Sequence, residues 1–393
     1  MKLLLSFFVL LLSTMLHAIS LDEVVAKALE KSPSLEAIQY RLQAIRLDTQ
    51  ASTQFSNPVL SLSDNNLDQD QAMSRSTISI QQKIPFYGKR ESLEKIALAQ
   101  ESVLSENLEK AKVALVNAVK EQAYTIWELE ELYKTIDEYT DITKQNIGLF
   151  ESYTAMSDNQ HMGIMSAELI LSDLRIQKAT LQAQIDTAYA KLSYLAAFKV
   201  EDLQMSLVVW DLPSPQSFTQ ALQSNKDLAL RDKELEKTRA MAYTAELDNY
   251  PDVNLLASYD YRKNFDNFWT FGVGVSLPIY GTEDYKEESA RALTLSAEST
   301  KEDTKVALDA EFQSAYVQMK SAYKIYHIVQ DEALPQIEHM FDLTNSSIST
   351  GGDLFKYIDI LVKKLKLEQK SIAAVAMYNR AMAKIEALSG ETE

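Results

Sequence analysis

Two stretches of this chain are nearly the same text. Residues 81–90 read QQKIPFYGKR and residues 275–284 read VSLPIYGTED. Pro85 and Pro278 stand 193 positions apart, and so do Gly88 and Gly281. The interval is not confined to that motif. Ala28-Leu29 maps onto Ala221-Leu222, Leu35 onto Leu228, Leu42 onto Leu235, and Pro58 onto Pro251. Leu60 and Leu62 map onto Val253 and Leu255. Two such intervals span nearly all of the 393 residues. A period this long predicts tandem duplication of one large unit rather than a solenoid of short repeats. Each unit reads helix, strand, strand, very long helix, helix.

The strands carry a period of two. In the second unit Trp269, Phe271, Val273, Val275, Leu277 and Ile279 share one face, and Thr270, Gly272, Gly274 and Ser276 share the other. In the first, Ile78, Ile80 and Ile84 oppose Thr77, Ser79, Gln81 and Lys83, while Leu60 and Leu62 oppose Val59, Ser61 and Ser63. The 193 offset lays Ile78 on Phe271 and Ile80 on Val273, so the apolar faces coincide. Strands are expected near 57–64, 75–86, 251–262 and 267–280. Tilted strands of ~10 residues are long enough to cross a bilayer. Phe86, Tyr87, Tyr250, Phe268, Trp269 and Tyr280 sit near strand ends, where interfacial aromatics belong. Four strands alone would leave two edges of unpaired backbone in hydrocarbon, at several kcal/mol per group. Closure therefore requires other copies of the chain. A sheet packed on a helix in a soluble protein is the ordinary alternative, but it leaves the outward apolar faces unexplained. Pro85, Gly88, Pro278 and Gly281 mark the strand-to-helix junctions: proline ends ladder pairing and glycine permits the turn.

The helical segments are unusually long. From 89 to about 153 there is no proline, and Gly148 is the single glycine. Leu104, Leu108, Ala111, Leu115, Val119, Ala123, Ile126, Leu129, Tyr133 and Ile136 step by three and four, the spacing of a coiled-coil seam. At 1.5 Å per residue such a helix reaches roughly 100 Å. The second copy starts near Tyr285 and carries Leu293, Val306, Ala310, Ala315, Met319, Ala322 and Ile325, with Pro335 expected to kink or break it. Return helices run to about Ala196 and about Leu388, so the hairpin tips are placed near Gly163 and Gly351.

Composition narrows the compartment. Lys2, the apolar run from 3 to 12 and the LHA ending at Ala18 have the form of a secretory leader, predicted to occupy 1–18. The two repeats then cover 19–210 and 211–393. There is no cysteine, which excludes disulfides, thiolate metal sites and a cysteine nucleophile. The net charge is −17, or −18 once Lys2 is removed with the leader. Nucleic acid is an unsuitable partner for so acidic a chain. No HExxH, GxSxG or phosphate-loop pattern is present. No enzyme activity and no cofactor are expected.

In their order and their doubling these segments resemble the TolC-like outer-membrane efflux channels. The resemblance runs over the whole mature chain, through SLDEVVAKALEKSPSL, NPVLSLS, IPFYGKR and GIMSAELILSDL and their second versions. It implies a mixed α/β membrane protein with two tandem repeats. The implied assembly is a homotrimer whose twelve-stranded β-barrel, four strands per chain, lies in the outer membrane among its lipids. A long α-helical barrel would continue it through the periplasm. The implied role is the exit duct of a tripartite pump, working with a periplasmic adaptor and an inner-membrane efflux pump on drugs or metal ions. A periplasmic coiled-coil scaffold, and the same channel fold serving protein secretion, are the alternatives. IPFYGKR is most similar to members that serve metal- and drug-exporting pumps; the second copy departs from it, with GTED in place of the basic pair.

The resemblance also assigns sites. FKYIDIL places Asp359 at the family's gate position, with Asp353 nearer the tip and Glu168 in the corresponding stretch of the first repeat. A ring of carboxylates near an axis repels itself and holds cations, although an exposed helix acid would look the same. The tips, Gly163, Ile164, Met165 and Ser166 with Gly351, Gly352, Asp353 and Leu354, are the adaptor-docking candidates. His161, Met162 and Met165 are a weak metal-ligand set, since thioether and imidazole suit soft monovalent ions but methionine is equally adaptable packing. Lys89 and Arg90 stand where they could reach lipid headgroups or phosphates at the inner face of the membrane, and an ordinary surface pair is the equal alternative.

Overall fold

The fold is a computed structural model that describes residues 19–65, 74–153, 158–219, 221–263, 265–348 and 354–390. The predicted leader, Gly351, Gly352 and Asp353 lie outside the described residues. The chain opens with β1 (Ile19–Ser20), α1 (Leu21–Lys31) and α2 (Pro33–Ser52). The Ser20 hydroxyl accepts the Glu23 N–H at 3.3 Å, and Asp22 and Glu23 occupy the first turn of α1, so its orphan donors meet acceptors and negative charge. Pro33 takes the first position of α2, where a missing N–H is harmless. Then come β2 (Val59–Asp64), β3 (Arg75–Ile84), α3 (Lys89–Tyr153) and α4 (Asp158–Ala196). After β4 (Leu203–Gln204), α5 (Pro215–Thr219) and a short 3₁₀ turn, the same order of element types recurs. It runs through α6 (Lys226–Asp248), β5 (Val253–Arg262), β6 (Phe268–Val275), α7 (Thr282–His327), α8 (Leu334–Ile348) and α9 (Leu354–Leu388).

The four longer strands form one antiparallel sheet in the order β2-β3-β5-β6. β3 and β5 join the halves, pairing from Arg75↔Arg262 to Ile84↔Val253. Both strands that lead into long helices end earlier than the sequence pattern suggests. β3 stops at Ile84, immediately before Pro85. β6 stops at Val275: Ser276 is the next in-register partner of Asp252 and its N–H still donates to the Asp252 carbonyl at 3.0 Å, but the Asp252 N–H goes to the Ser276 hydroxyl at 2.9 Å instead of its carbonyl, so the pairing is not completed.

The helices differ from expectation in three places. The first long helix ends at Tyr153 and the next already begins at Asp158, so Gly163, expected near the tip, lies buried within α4. One interior glycine costs a helix only about 1 kcal/mol against alanine, too little to end it. Pro335 does not end the second long helix, but the α-helical geometry is interrupted just before it. A π-helical turn, Ile328–Ala333, precedes it and widens the helix where the proline ring and its missing donor would otherwise clash. Burial on α3 is broader than one seam, since Val113 and Val116 are buried along with Leu108, Val119, Ala123, Ile126 and Ile136. The helix is in contact with α4, α6, α9, α2 and α1, more neighbours than one stripe can serve. On α7 the buried set is Phe312, Ala315, Met319 and Ala322, while Leu293 and Val306 stay exposed within the single chain.

Three apolar clusters hold the helices. Val24, Val25 and Ala28 of α1 pack with Val116, Val119, Ala123 and Ile126 of α3 and with Ala188, Leu192 and Ala196 of α4. Phe312 to Ala322 of α7 pack with Tyr378, Ala381, Ile385 and Leu388 of α9. The third joins the two hairpins, setting Ile136 and Tyr139 with Ala167 and Leu174 against Tyr357, Ile358, Leu361 and Leu365 of α9. Asn225 ties the second repeat together: its side-chain oxygen caps α6 and its amide donates to the Leu388 carbonyl at 2.9 Å. Among the described residues no helix is long and apolar enough to cross a membrane.

Candidate functional site

Cross-strand partners share a face, so the register sorts every sheet residue. One face carries Leu60, Leu62, Ile78, Ile80, Leu255, Ala257, Tyr259, Trp269, Phe271, Val273 and Val275. It is bare: Leu62 is 77% exposed, Phe271 78% and Val273 72%. The other face carries Ser61, Ser63, Thr77, Ser79, Gln81, Asn254, Ser258, Asp260 and Thr270, with Gly272 and Gly274, and among the described residues only Val59, Leu256 and Phe268 as large apolar side chains. A Cβ at either glycine would meet its neighbours at 3.6 Å or more, an ordinary contact, so the glycines keep that face low without being sterically required. Near the hairpin end Asp260 accepts the Thr77 hydroxyl at 2.5 Å and lies 3.4 Å from Arg75 Nε. Aromatics collect at both ends of the sheet: Tyr259, Phe268 and Trp269 at the hairpin, Phe86 stacked on Tyr250 at 4.7 Å beside the helices.

The junction between sheet and helices is built on Asp252, the residue before β5. Its carboxylate accepts the Phe86 N–H at 2.9 Å and pairs with Lys89 and Lys83, each at 2.9 Å. Burial pushes this carboxyl up, but the Lys89 ammonium, the Phe86 amide and the Lys83 ammonium together outweigh it and hold the group at about 2. Lys89 also donates to the Tyr250 carbonyl at 2.7 Å. Lys89 is therefore buried in the protein and does not reach lipid, a correction to the sequence expectation. Gly88 and Gly281 both adopt left-handed backbone, with φ of +90° and +69°, as Lys89 and Thr282 begin their helices. Pro85 and Pro278 stand three residues before them, past the last ladder bonds. The spacing in sequence pointed to these turns. It did not point to Asp252, although a signal existed: the 193 offset sets Asp252 against Val59, a carboxylate where the first repeat has an apolar residue.

At the far end of the helices the predicted residues separate. Ile164 is half-buried against the cluster that joins the hairpins, so it is not an exposed tip residue. Met162 and Met165 are exposed, whereas the His161 side chain and that of Leu354 lie outside the described residues. Glu168 and Asp359 are exposed on α4 and α9. Asp359 is paired with Lys363, one turn on, at 2.6 Å, so it is not a bare carboxylate. Directly beside it Tyr357 is buried, and its hydroxyl accepts the Asn146 amide of α3 at 2.9 Å. This contact between hairpins was not foreseen. Two turns on, burial pushes the Glu368 carboxyl up, with Glu138 and Glu338 adding to the shift and Tyr139 and Lys364 opposing it.

Residues 218–387 match the outer membrane efflux protein family. In fold the chain is similar to the open-state MtrE outer membrane channel of Neisseria gonorrhoeae, at TM-score 0.82 and 15% identity over 95% of this chain and 89% of that one. It is similar also to the outer membrane protein VceC of Vibrio cholerae, at 0.79 and 16% over 95% and 97%. The CmeC outer membrane channel of Campylobacter jejuni gives 0.78 and 14% over 94% and 85%. No curated protein matches by sequence.

Proposed function

We propose that this chain, which carries an outer membrane efflux protein domain on a TolC-like channel fold, is the exit duct of a tripartite pump. The protein belongs to the outer membrane, with its helices extending into the periplasm. The observation that carries the reading is the bare apolar face of a sheet whose opposite face is mostly polar and whose two edge strands, β2 and β6, have no partner on their outer sides among the described residues. In water such a face is an aggregation hazard; in a bilayer it is the required outer surface of a barrel. Three copies closing edge to edge give twelve strands, with Ser61, Thr77, Asp260 and Thr270 lining the lumen. The helices, about 100 Å for α3 alone, continue the wall toward an adaptor and an inner-membrane pump. Met162 and Met165, exposed near the first hairpin end, are the described part of the docking surface in this reading. Drugs or metal ions are the proposed cargo, and Asp359 with Lys363 is the proposed gate.

The test is conductance of the purified protein across a planar bilayer. Discrete, cation-selective channels are expected. A protein recovered without detergent and silent in the bilayer would contradict the proposal.

A further inference from the structure

Beside the junction, between the end of α2 and the start of α3, lies a recess of about 330 Å³, within the ~300–1,000 Å³ range of ligand pockets. Phe55, Ile84 and Tyr87 form its apolar walls, and Arg90, Glu91 and Glu94 its polar ones. Ile84 is the last residue of β3 and lies on the bare apolar face of the sheet, so the recess opens where that face ends. Arg90 contrasts with its neighbour Lys89. Its guanidinium lies 4.1 Å from the centre of the Phe55 ring, and its Nε is buried with no acceptor. Among the described residues Arg90 makes no ion pair. Glu91 is taken by Lys95 at 2.9 Å, but Glu94, one turn beyond Arg90, has no cation within pairing distance among the described residues. One cation and one anion thus line the same recess without forming an ion pair with each other. A guanidinium without a carboxylate partner is the side chain best shaped to take a phosphate through its terminal nitrogens.

We infer that this recess holds the headgroup of a zwitterionic phospholipid bearing a primary ammonium, that is, phosphatidylethanolamine. Arg90 takes the phosphate, Glu94 takes the ammonium, and Phe55, Ile84 and Tyr87 receive the glycerol and upper acyl chain. A purely anionic lipid would satisfy Arg90 but set its charge against Glu94 and Glu91. The inference rests on the outer-membrane reading, which puts the helix end of the sheet at the inner leaflet.

Native mass spectrometry on the detergent-solubilised assembly tests it, with phosphatidylethanolamine, phosphatidylglycerol or inorganic phosphate added at equal concentration. The wild type is expected to retain phosphatidylethanolamine in preference to phosphatidylglycerol, and inorganic phosphate is expected not to displace it. Arg90→Gln is expected to weaken that retention about tenfold, the scale of one hydrogen bond to a charged group. Glu94→Gln is expected to abolish the preference between the two lipids while leaving binding. If Arg90→Gln does not assemble, Glu94→Gln decides alone, because it leaves the cation in place. Equal phosphatidylethanolamine retention in Arg90→Gln and wild type would overturn the inference. So would an unchanged preference in Glu94→Gln, displacement by phosphate, or a recess filled by the neighbouring copy with no lipid bound. A chain recovered without detergent would instead contradict the membrane reading itself.

Discussion

Asp252 and Glu368 are both carboxylates close to ammonium groups, yet their surroundings move them in opposite directions. Asp252 accepts three strong donors at the junction and is held near 2. Glu368 sits where burial, with Glu138 and Glu338 nearby, outweighs Tyr139 and Lys364. The linkage signs follow. The stabilisation from Asp252 is fully present above its unfolded value near 4 and is lost as pH falls from there toward 2. Glu368 contributes in the opposite sense: its stabilisation is present below the ordinary glutamate range and is lost as pH rises through its raised folded value. Asp252→Ala, which leaves the buried Lys89 only the Tyr250 carbonyl and the more distant Asp248 at 3.7 Å and the Phe86 N–H without its acceptor, should destabilise the protein by about 1–3 kcal/mol, read as a lower thermal midpoint in detergent at pH 7. The same variant should lose the steep acid limb below pH 4. Glu368→Gln should raise the midpoint at neutral pH and flatten its dependence above the carboxylate range; an unchanged profile would show that Glu368 is solvated in the assembly. Neither group was readable as special in the sequence. With 56 acidic residues, one more aspartate or glutamate carries little information, and burial that comes from segments 160 or more positions away leaves no local trace.

The elements themselves were far more legible. Period-two alternation specified which residues of β2, β3 and β6 share a face, because a one-residue slip would have turned Phe271 and Val273 to the polar side. The long helices followed from the near-absence of proline and glycine between 89 and 153. Boundaries were less legible where a tertiary bond competes with the local pattern. The run through Leu277 and Ile279 keeps its alternation, yet β6 ends at Val275 because the Ser276 hydroxyl takes the Asp252 N–H that its carbonyl would accept in a continued ladder. That bond also changes the choice of test. Ser276 reads as a tolerant lumen-facing position in sequence, but it is a junction residue, and Thr270 is the better probe of the polar face. Val273→Arg should impair assembly by about 2–4 kcal/mol if it lies near the bilayer midplane. Thr270→Arg should leave assembly intact and alter conductance. Equal effects of the two on the yield of assembled protein would reverse or abolish the assignment of faces.

On the scale of the whole molecule, the repeat and the resemblance pointed to a channel, and the fold is that of outer-membrane channels. The assembly was legible only indirectly, as open edges and a bare face that one chain cannot satisfy. The proposed gate is least legible: the i,i+4 spacing of Asp359 and Lys363 can be read in the sequence, but where the pair stands in the assembly cannot. An exposed pair of this kind contributes little to stability, about 0–1 kcal/mol, so its effect should appear in conduction. Lys363→Ala should strengthen cation selectivity and block by a trivalent cation added from the periplasmic side. Asp359→Ala should weaken both, and matching behaviour of the two variants in the bilayer would place the gate elsewhere. Beneath all of these lies one claim, that each chain gives four strands to a barrel it cannot close alone. The most direct measurement is the mass of the detergent-purified protein with its detergent accounted for. Three chains per particle are predicted, with no folded smaller species on dilution. A stable, folded monomer with its β-sheet intact would contradict the account.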